Sequence, residues 1–136
     1  MKLVFCLSGK TERGPVEELV NEYRKRISRY GPVEVIEAKT LKLQTREGIH
    51  VLLSPDGESM TSEEFARFIG QQQLGSVKNL FFYTGGPTGF DELLEGHIRK
   101  KISLSPMTFS HQIIRILLLE QVYRAFTILN NEPYHK

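Results

Sequence analysis

The sequence predicts an α/β fold with a mostly parallel sheet, and two observations carry that prediction. Short apolar runs of strand length, Leu3–Leu7, His50–Leu53 and Asn79–Tyr83, each stop at a serine, glycine or threonine. Between them lie stretches in which apolar residues recur at three- and four-residue steps, the helical period. Strands that alternate with helices are joined by crossovers, and crossovers give parallel pairs. A third observation sets one element apart. From Ile113 to Leu129 nearly every residue is apolar, interrupted only by Arg115, Glu120, Gln121, Arg124 and Thr127. A surface helix shows one apolar stripe; this one is apolar most of the way round, so a second subunit is the expected cover.

Length and composition set the limits. The 136 residues fit one domain, residues 1–136. At 40% hydrophobic and 25% charged the chain is globular, and its formal charge of +2 permits a nucleic-acid partner without arguing for one. The single Cys6 excludes an intramolecular disulfide and suits a reducing cytosol. No apolar segment behind a basic front opens the sequence, so no signal peptide is expected. The run Ile113–Leu129 is too short for a membrane span and carries charges. A cytoplasmic, soluble protein with no membrane partner is the expectation.

Taken in order, Leu3–Leu7 is a buried strand ending at Ser8-Gly9. Pro15 opens a helix with Val16, Leu19, Val20, Tyr23, Ile27 and Tyr30 inward and Arg24, Lys25, Arg26 and Arg29 mostly on the other side; Gly31-Pro32 ends it. Val33–Ala38 alternates and is a second strand. Lys39–Gly48 is polar and patternless, a loop or one weak turn. His50–Leu53 is a third strand, closed by a turn at Ser54-Pro55-Asp56-Gly57. Thr61 and Glu64 have capping-box spacing, which predicts a helix from about Ser62 to Leu74 with Phe65, Phe68 and Ile69 on one face. Asn79–Tyr83 is the fourth strand and Gly85–Gly89 the loop after it. Asp91–Lys100 reads as a helix with Leu93, Leu94 and Ile98 inward, Ile102–Leu104 as a fifth strand, and Ser110 as the cap of the long final helix.

In such a fold ligands sit at the carboxyl ends of the strands, which directs attention to Ser54–Gly57, Gly85–Gly89 and Ser105–His111. Gly85-Gly86-Pro87-Thr88-Gly89 lets backbone approach a ligand and offers N–H donors, although a tight strand-to-helix turn needs the same glycines. It matches neither GxGxxG nor a P-loop. His50 and His97 read as bystanders. His111, beside the third loop, either lines a pocket or serves its helix end. Cys6 inside a strand reads as core, Ser103 and Ser105 have no base partner, and no metal-ligand spacing occurs, so no metal is expected. Residue types alone reach a dimeric α/β protein with a small-molecule pocket.

Longer runs go further. FFYTGGPTGF from Phe81 and ISLSPMTFSHQIIRILLLEQVYRAFTILNNEPYHK to Lys136 closely resemble the ribosomal large-subunit pseudouridine methyltransferase H family, small SPOUT-class enzymes with an α/β knot. The likeness continues through MKLVFCLSGK, NEYRKRISRY and LLSPDGE, so it spans nearly the whole chain. It departs at Lys39–Gly48, where the family usually spends more residues, including a helix.

The resemblance implies a single-domain α/β knot with a mostly parallel sheet of five to six strands and a C-terminal trefoil knot, a rare exception to the rule against knotted chains. It implies an S-adenosylmethionine-dependent enzyme, acting as a homodimer, that methylates N3 of a pseudouridine in bacterial 23S rRNA. The small size and weak charge favour the large subunit or assembled ribosome over free RNA. By position the cofactor contacts fall on Leu53, Gly85, Gly86, Pro106, Met107, Thr108, Phe109, Ser110 and His111. The methyl donor is already activated, so positioning and removal of the ring N–H proton remain. The catalytic candidates are Arg124 on the final helix and Tyr134 and His135 of the tail. A non-catalytic ribosome- or RNA-binding protein that keeps the fold is the alternative, and intact cofactor loops argue against it.

Overall fold

The computed structural model describes residues 1–86 and 89–135. Pro87 and Thr88 of the glycine-rich loop and Lys136 of the tail lie outside the described residues. The elements in chain order are β1 (Lys2–Ser8), α1 (Pro15–Ile27), β2 (Val33–Ala38), β3 (Ile49–Ser59), α2 (Ser62–Leu74), β4 (Asn79–Thr84), α3 (Glu92–His97), β5 (Lys100–Ser103) and α4 (His111–Leu129). Five strands form one sheet in the order β2-β1-β4-β3-β5, with every neighbouring pair parallel.

The central strands are apolar on both faces because both faces are covered. Leu3, Phe5 and Leu7 of β1 join one core, with Val20 and Ile27 of α1, Phe65 and Ile69 of α2, and Leu118, Val122 and Phe126 of α4. Val4 and Cys6 join the opposite core, with Phe81 and Tyr83 of β4, Leu94 and Ile98 of the α3 segment, and Leu41 from the 39–48 loop. The edge strand β2 is only half-buried, which is why VEVIEA alternates while LVFCL does not. Segment 39–48 forms no helix. The amide of Gln44 donates to the Tyr83 hydroxyl (3.1 Å) and Arg46 grips Glu34 with two bonds (2.8 and 2.9 Å). His50, read from the sequence as a bystander, stacks on Phe81 and bonds the Tyr83 hydroxyl (2.8 Å).

Three expectations need correction. The third strand does not stop at Leu53; it continues to Ser59, and Ser54–Gly57 is a bulge, with Leu53 and Glu58 both pairing with Ile102. Gly57 is required there, because a Cβ would lie 2.8 Å from the backbone of Ile102. Leu93 is 70% exposed, since a six-residue helix offers the sheet one line of contact, through Leu94 and Ile98. Leu19 likewise faces out.

The final helix is covered more fully by its own chain than its composition implied. It packs between α1 and α2, and Leu118, Leu119, Val122, Ala125 and Phe126 are buried without any partner. What remains open is a narrower stripe: Ile113 is exposed and Leu117 half-buried one turn later. Among the described residues, no helix is long and apolar enough to cross a membrane.

Candidate functional site

The three loops singled out in the sequence converge. At the carboxyl ends of β4 and β5, beside the bulge of β3, a cleft of about 500 Å³ is lined by Leu53, Gly85, Gly86, Met107, Thr108, Phe109, Ser110 and His111. These are eight of the nine residues expected to hold a cofactor; Pro106 does not line it. Leu53 arrives at the start of the β3 bulge. The third loop is shaped by its own serines: Ser103 Oγ donates to the carbonyl of Ser105 (2.9 Å), and Ser105 Oγ accepts from the amide of Met107 (3.0 Å). Ser110 caps α4 by accepting from the amide of Ile113 (3.2 Å), which sets His111 at the cleft. Met107 (72% exposed) and Phe109 (39%) are large apolar side chains left without full cover.

The glycine pair works differently from the sequence expectation. Gly86 and Gly89 exchange both backbone hydrogen bonds (3.3 and 3.0 Å), so those amides are used within the loop instead of being offered to a ligand. What glycine supplies at 86 is close approach: a Cβ there would sit 2.6 Å from Ser8 Oγ. The loop's Pro87 and Thr88 lie outside the described residues.

Sequence reasoning missed four contributors. Phe90 and Ile114 line the cleft; Phe90 closes the GGPTGF run, and Ile114 stands one turn beyond His111 on the same helix face. Arg115 and Gln112 act from behind. Arg115 is fully buried, and its guanidinium donates to the carbonyls of Ser8 (2.6 Å), Gly9 (3.1 Å) and His111 (2.9 Å) and to Thr11 Oγ1 (2.8 Å). Gln112 donates to the carbonyl of Lys10 (2.8 Å) and accepts from the amide of Glu12 (2.9 Å). Two side chains of α4 thus hold the whole loop after β1 against His111, whose ring lies 3.8 Å from where a Cβ on Gly9 would stand. Burial pulls the Arg115 guanidinium below its ordinary value, and the carboxylate of Glu37 at 3.5 Å opposes that pull.

The catalytic candidates meet elsewhere. Arg124, Tyr134 and His135 form one cluster: the Arg124 guanidinium stacks on the Tyr134 ring at 4.8 Å and bonds His135 Nδ1 at 3.1 Å. Its other nitrogens donate to Glu120 (2.6 and 2.8 Å), which raises the Arg124 pKa. A guanidinium only donates, so His135 Nδ1 is the acceptor and Nε2 carries the hydrogen given to Glu63 (2.6 Å). Burial, then the bond to Tyr23, pushes the Tyr134 hydroxyl above its ordinary range and keeps it protonated. The tail is therefore fixed, packed edge-on to Tyr123. Arg124 stands thirteen residues beyond His111, about 20 Å farther along α4. The fold brings the cofactor candidates together and the catalytic candidates together, but not one group to the other. Among the described residues, no three His, Cys, Asp or Glu side chains come together as a metal site.

Comparison with known proteins agrees with this architecture. Residues 1–135 match a family model described as predicted SPOUT methyltransferase. The chain is 42% identical over 139 residues to the ribosomal RNA large subunit methyltransferase H of Coprothermobacter proteolyticus, covering 100% of both. It is 40% identical over 152 residues to the protein of the same name from Geobacter sp., covering 99% of both, so it shares the shorter length of the first relative. Among solved structures, a probable methylase family protein from Haemophilus influenzae superposes with a TM-score of 0.55 at 9% identity, over 96% of this chain and 66% of that longer one.

Proposed function

Because the chain belongs to the SPOUT methyltransferase family, we propose that it methylates N3 of a pseudouridine in bacterial 23S rRNA, as a cytoplasmic homodimer acting on the large subunit or assembled ribosome. The observation that carries this reading is the convergence of eight expected cofactor residues on one cleft. S-adenosylmethionine fits that cleft. Leu53, Phe109 and Ile114 supply apolar walls for an adenine ring, and the serine-shaped loop 105–110 supplies polar backbone near it. When bound, it provides a methyl group already activated by its sulfonium. The threading of the C-terminal segment into a knot belongs to the same reading.

The chain's own task is then to hold the ring and take its N3 proton. In the resting arrangement Nδ1 of His135 is occupied by Arg124. Arg124 turning its guanidinium to the developing negative charge of the ring frees Nδ1 to accept the proton; Tyr134, kept protonated, serves as a platform. The distance of about 20 Å along α4 means that this cluster cannot serve the cleft of its own protomer. Two α4 helices paired antiparallel about a two-fold axis at the open Ile113–Leu117 stripe would carry Arg124 past the start of the partner's α4, level with its 105–110 loop. The modest net charge of +2 favours a target presented by an assembled particle, because few phosphate contacts hold free RNA weakly.

Subunit mixing tests this. A chain cut after Asn130 should dimerise and bind S-adenosylmethionine yet lose about a hundredfold or more of methyl transfer to ribosomes. Gly86→Val should abolish binding of the donor, because the added side chain strikes Ser8 Oγ and pushes the backbone at Gly86 toward the cleft. Mixing the two inactive proteins should restore activity, since one subunit brings the tail and the other the cleft. No recovery in verified heterodimers, or full activity in the truncated chain, overturns the assignment.

A further inference from the structure

Glu95 brings the one carboxylate that lines the cleft, and among the described residues no lysine or arginine lines it. Its place follows from the run FDELLEGHIRK. Asp91 caps α3 by accepting from the amide of Leu93 (2.8 Å), and Leu94 and Ile98 anchor the segment in the core. With Leu94 turned inward, the next residue, Glu95, is exposed and joins the cleft wall. Its carboxylate makes no salt bridge among the described residues. Arg99 stands four positions on, the spacing at which a helix pairs opposite charges. The helix ends first: Ile98 is extended (φ −101°, ψ 115°), so the turn that would carry Arg99 back over Glu95 is never made.

A lone negative charge in an otherwise apolar and hydroxyl-lined cleft sorts ligands by charge. S-adenosylmethionine and S-adenosylhomocysteine share an adenine, a ribose and a zwitterionic amino-acid end. They differ by a methyl group and by the positive charge on sulfur. When the C–S bond breaks, its electron pair stays on sulfur, and the ring nitrogen, already stripped of its proton, supplies the pair that bonds the methyl carbon. The product left in the cleft is then a neutral sulfide. In a cleft of about 500 Å³ a ligand charge stays close to the wall on the scale of the screening length, about 8 Å at physiological ionic strength. Leu53, Leu104, Phe109 and Ile114 exclude water and strengthen the attraction.

We propose that Glu95 sets the preference of the cleft for the cationic donor over its neutral product, drawing S-adenosylmethionine in and letting S-adenosylhomocysteine go. The proposal rests on the methyltransferase reading above and adds to it a specificity-determining residue. Glu95 contributes charge, not a hydrogen bond to groups that the two molecules share.

Two variants test it by titration calorimetry. Glu95→Gln keeps the shape and removes the charge. Glu92→Gln removes a charge from the same short helix at an exposed position that does not line the cleft. In Glu95→Gln the Kd for S-adenosylmethionine should rise about fivefold, while that for S-adenosylhomocysteine stays within about twofold. Glu92→Gln should leave both within about twofold. Raising salt from about 50 mM to about 500 mM should weaken the donor more than the product in the wild type, and the difference should vanish in Glu95→Gln. Equal weakening of both ligands would make Glu95 a contact to a shared group, such as the ribose diol, and overturns the proposal. An unchanged ratio overturns it too, as does a Glu92→Gln protein in which the ratio shifts as far. Each of those results leaves donor binding, and with it the methyltransferase reading, in place; wild-type protein that binds neither molecule refutes that reading itself.

Discussion

The two ends of α4 hold their polar side chains by opposite means. At the N-terminal end, Arg115 and Gln112 are buried and bind mainly backbone groups of the loop after β1. Those partners cannot move without moving the strand. At the C-terminal end, Arg124 and His135 are partly exposed and bind side chains, Glu120, Glu63 and each other. Those partners can be exchanged for a substrate at little cost. Anchoring a cleft calls for the first kind of bond, and a proton-handling group that must turn toward an incoming ring calls for the second. Under the proposed function the same helix serves as scaffold at one end and as working surface at the other.

The contrast is sharpest at Arg115. Arg115→Met removes the donor from several buried oxygens at once, and leaving them unpaired should cost about 3 kcal/mol or more, read as a lowered midpoint in urea denaturation. Donor binding should weaken with it, because the loop behind His111 is released; an unchanged midpoint would erase the distinction between the two ends. Arg124→Gln should do the reverse. Stability should change by less than about 1 kcal/mol, the donor should bind as before, and kcat for methyl transfer should fall about a hundredfold in single-turnover assays. A stability loss as large as that of Arg115→Met would show that this end too is structural. The smallest effect belongs to Ser110→Ala, which deletes the cap of α4 and should cost about 1 kcal/mol by the same denaturation measurement, together with a modest loss of donor affinity. Loss of transfer without loss of stability in that variant would move Ser110 into the chemistry.

Much of this was legible from residues. The capping box at Thr61 and Glu64 forms as spaced, with both hydrogen bonds present, and α2 and α4 start where their caps predict. The three loops of the cleft could be named because strand ends and glycine clusters mark them. The continuation of β3 was not legible, since Ser-Pro-Asp-Gly has the chemistry of a turn and a bulge uses the same residues; only its neighbour β5 distinguishes them. Arg115 read as an interruption of an apolar helix, yet its position one turn before Leu118 and Leu119 places it on the buried stripe, and that spacing was the available signal. The separation of Arg124 from His111 follows from helix rise alone. The docking of the tail on Tyr23 and Glu63 does not, because those residues are more than seventy positions away in sequence.

Cys6 lies at the middle of β1, fully buried, paired in register with Ile36 on one side and Tyr83 on the other. Burial pushes its thiol up to about 12, so in the folded chain it is both unreachable and un-ionised. It is the chain's one cysteine. The protein thus carries its own clock: a thiol reagent in solution can mark this chain only when β1 parts from its neighbours, and the rate of marking counts the openings of the sheet's centre.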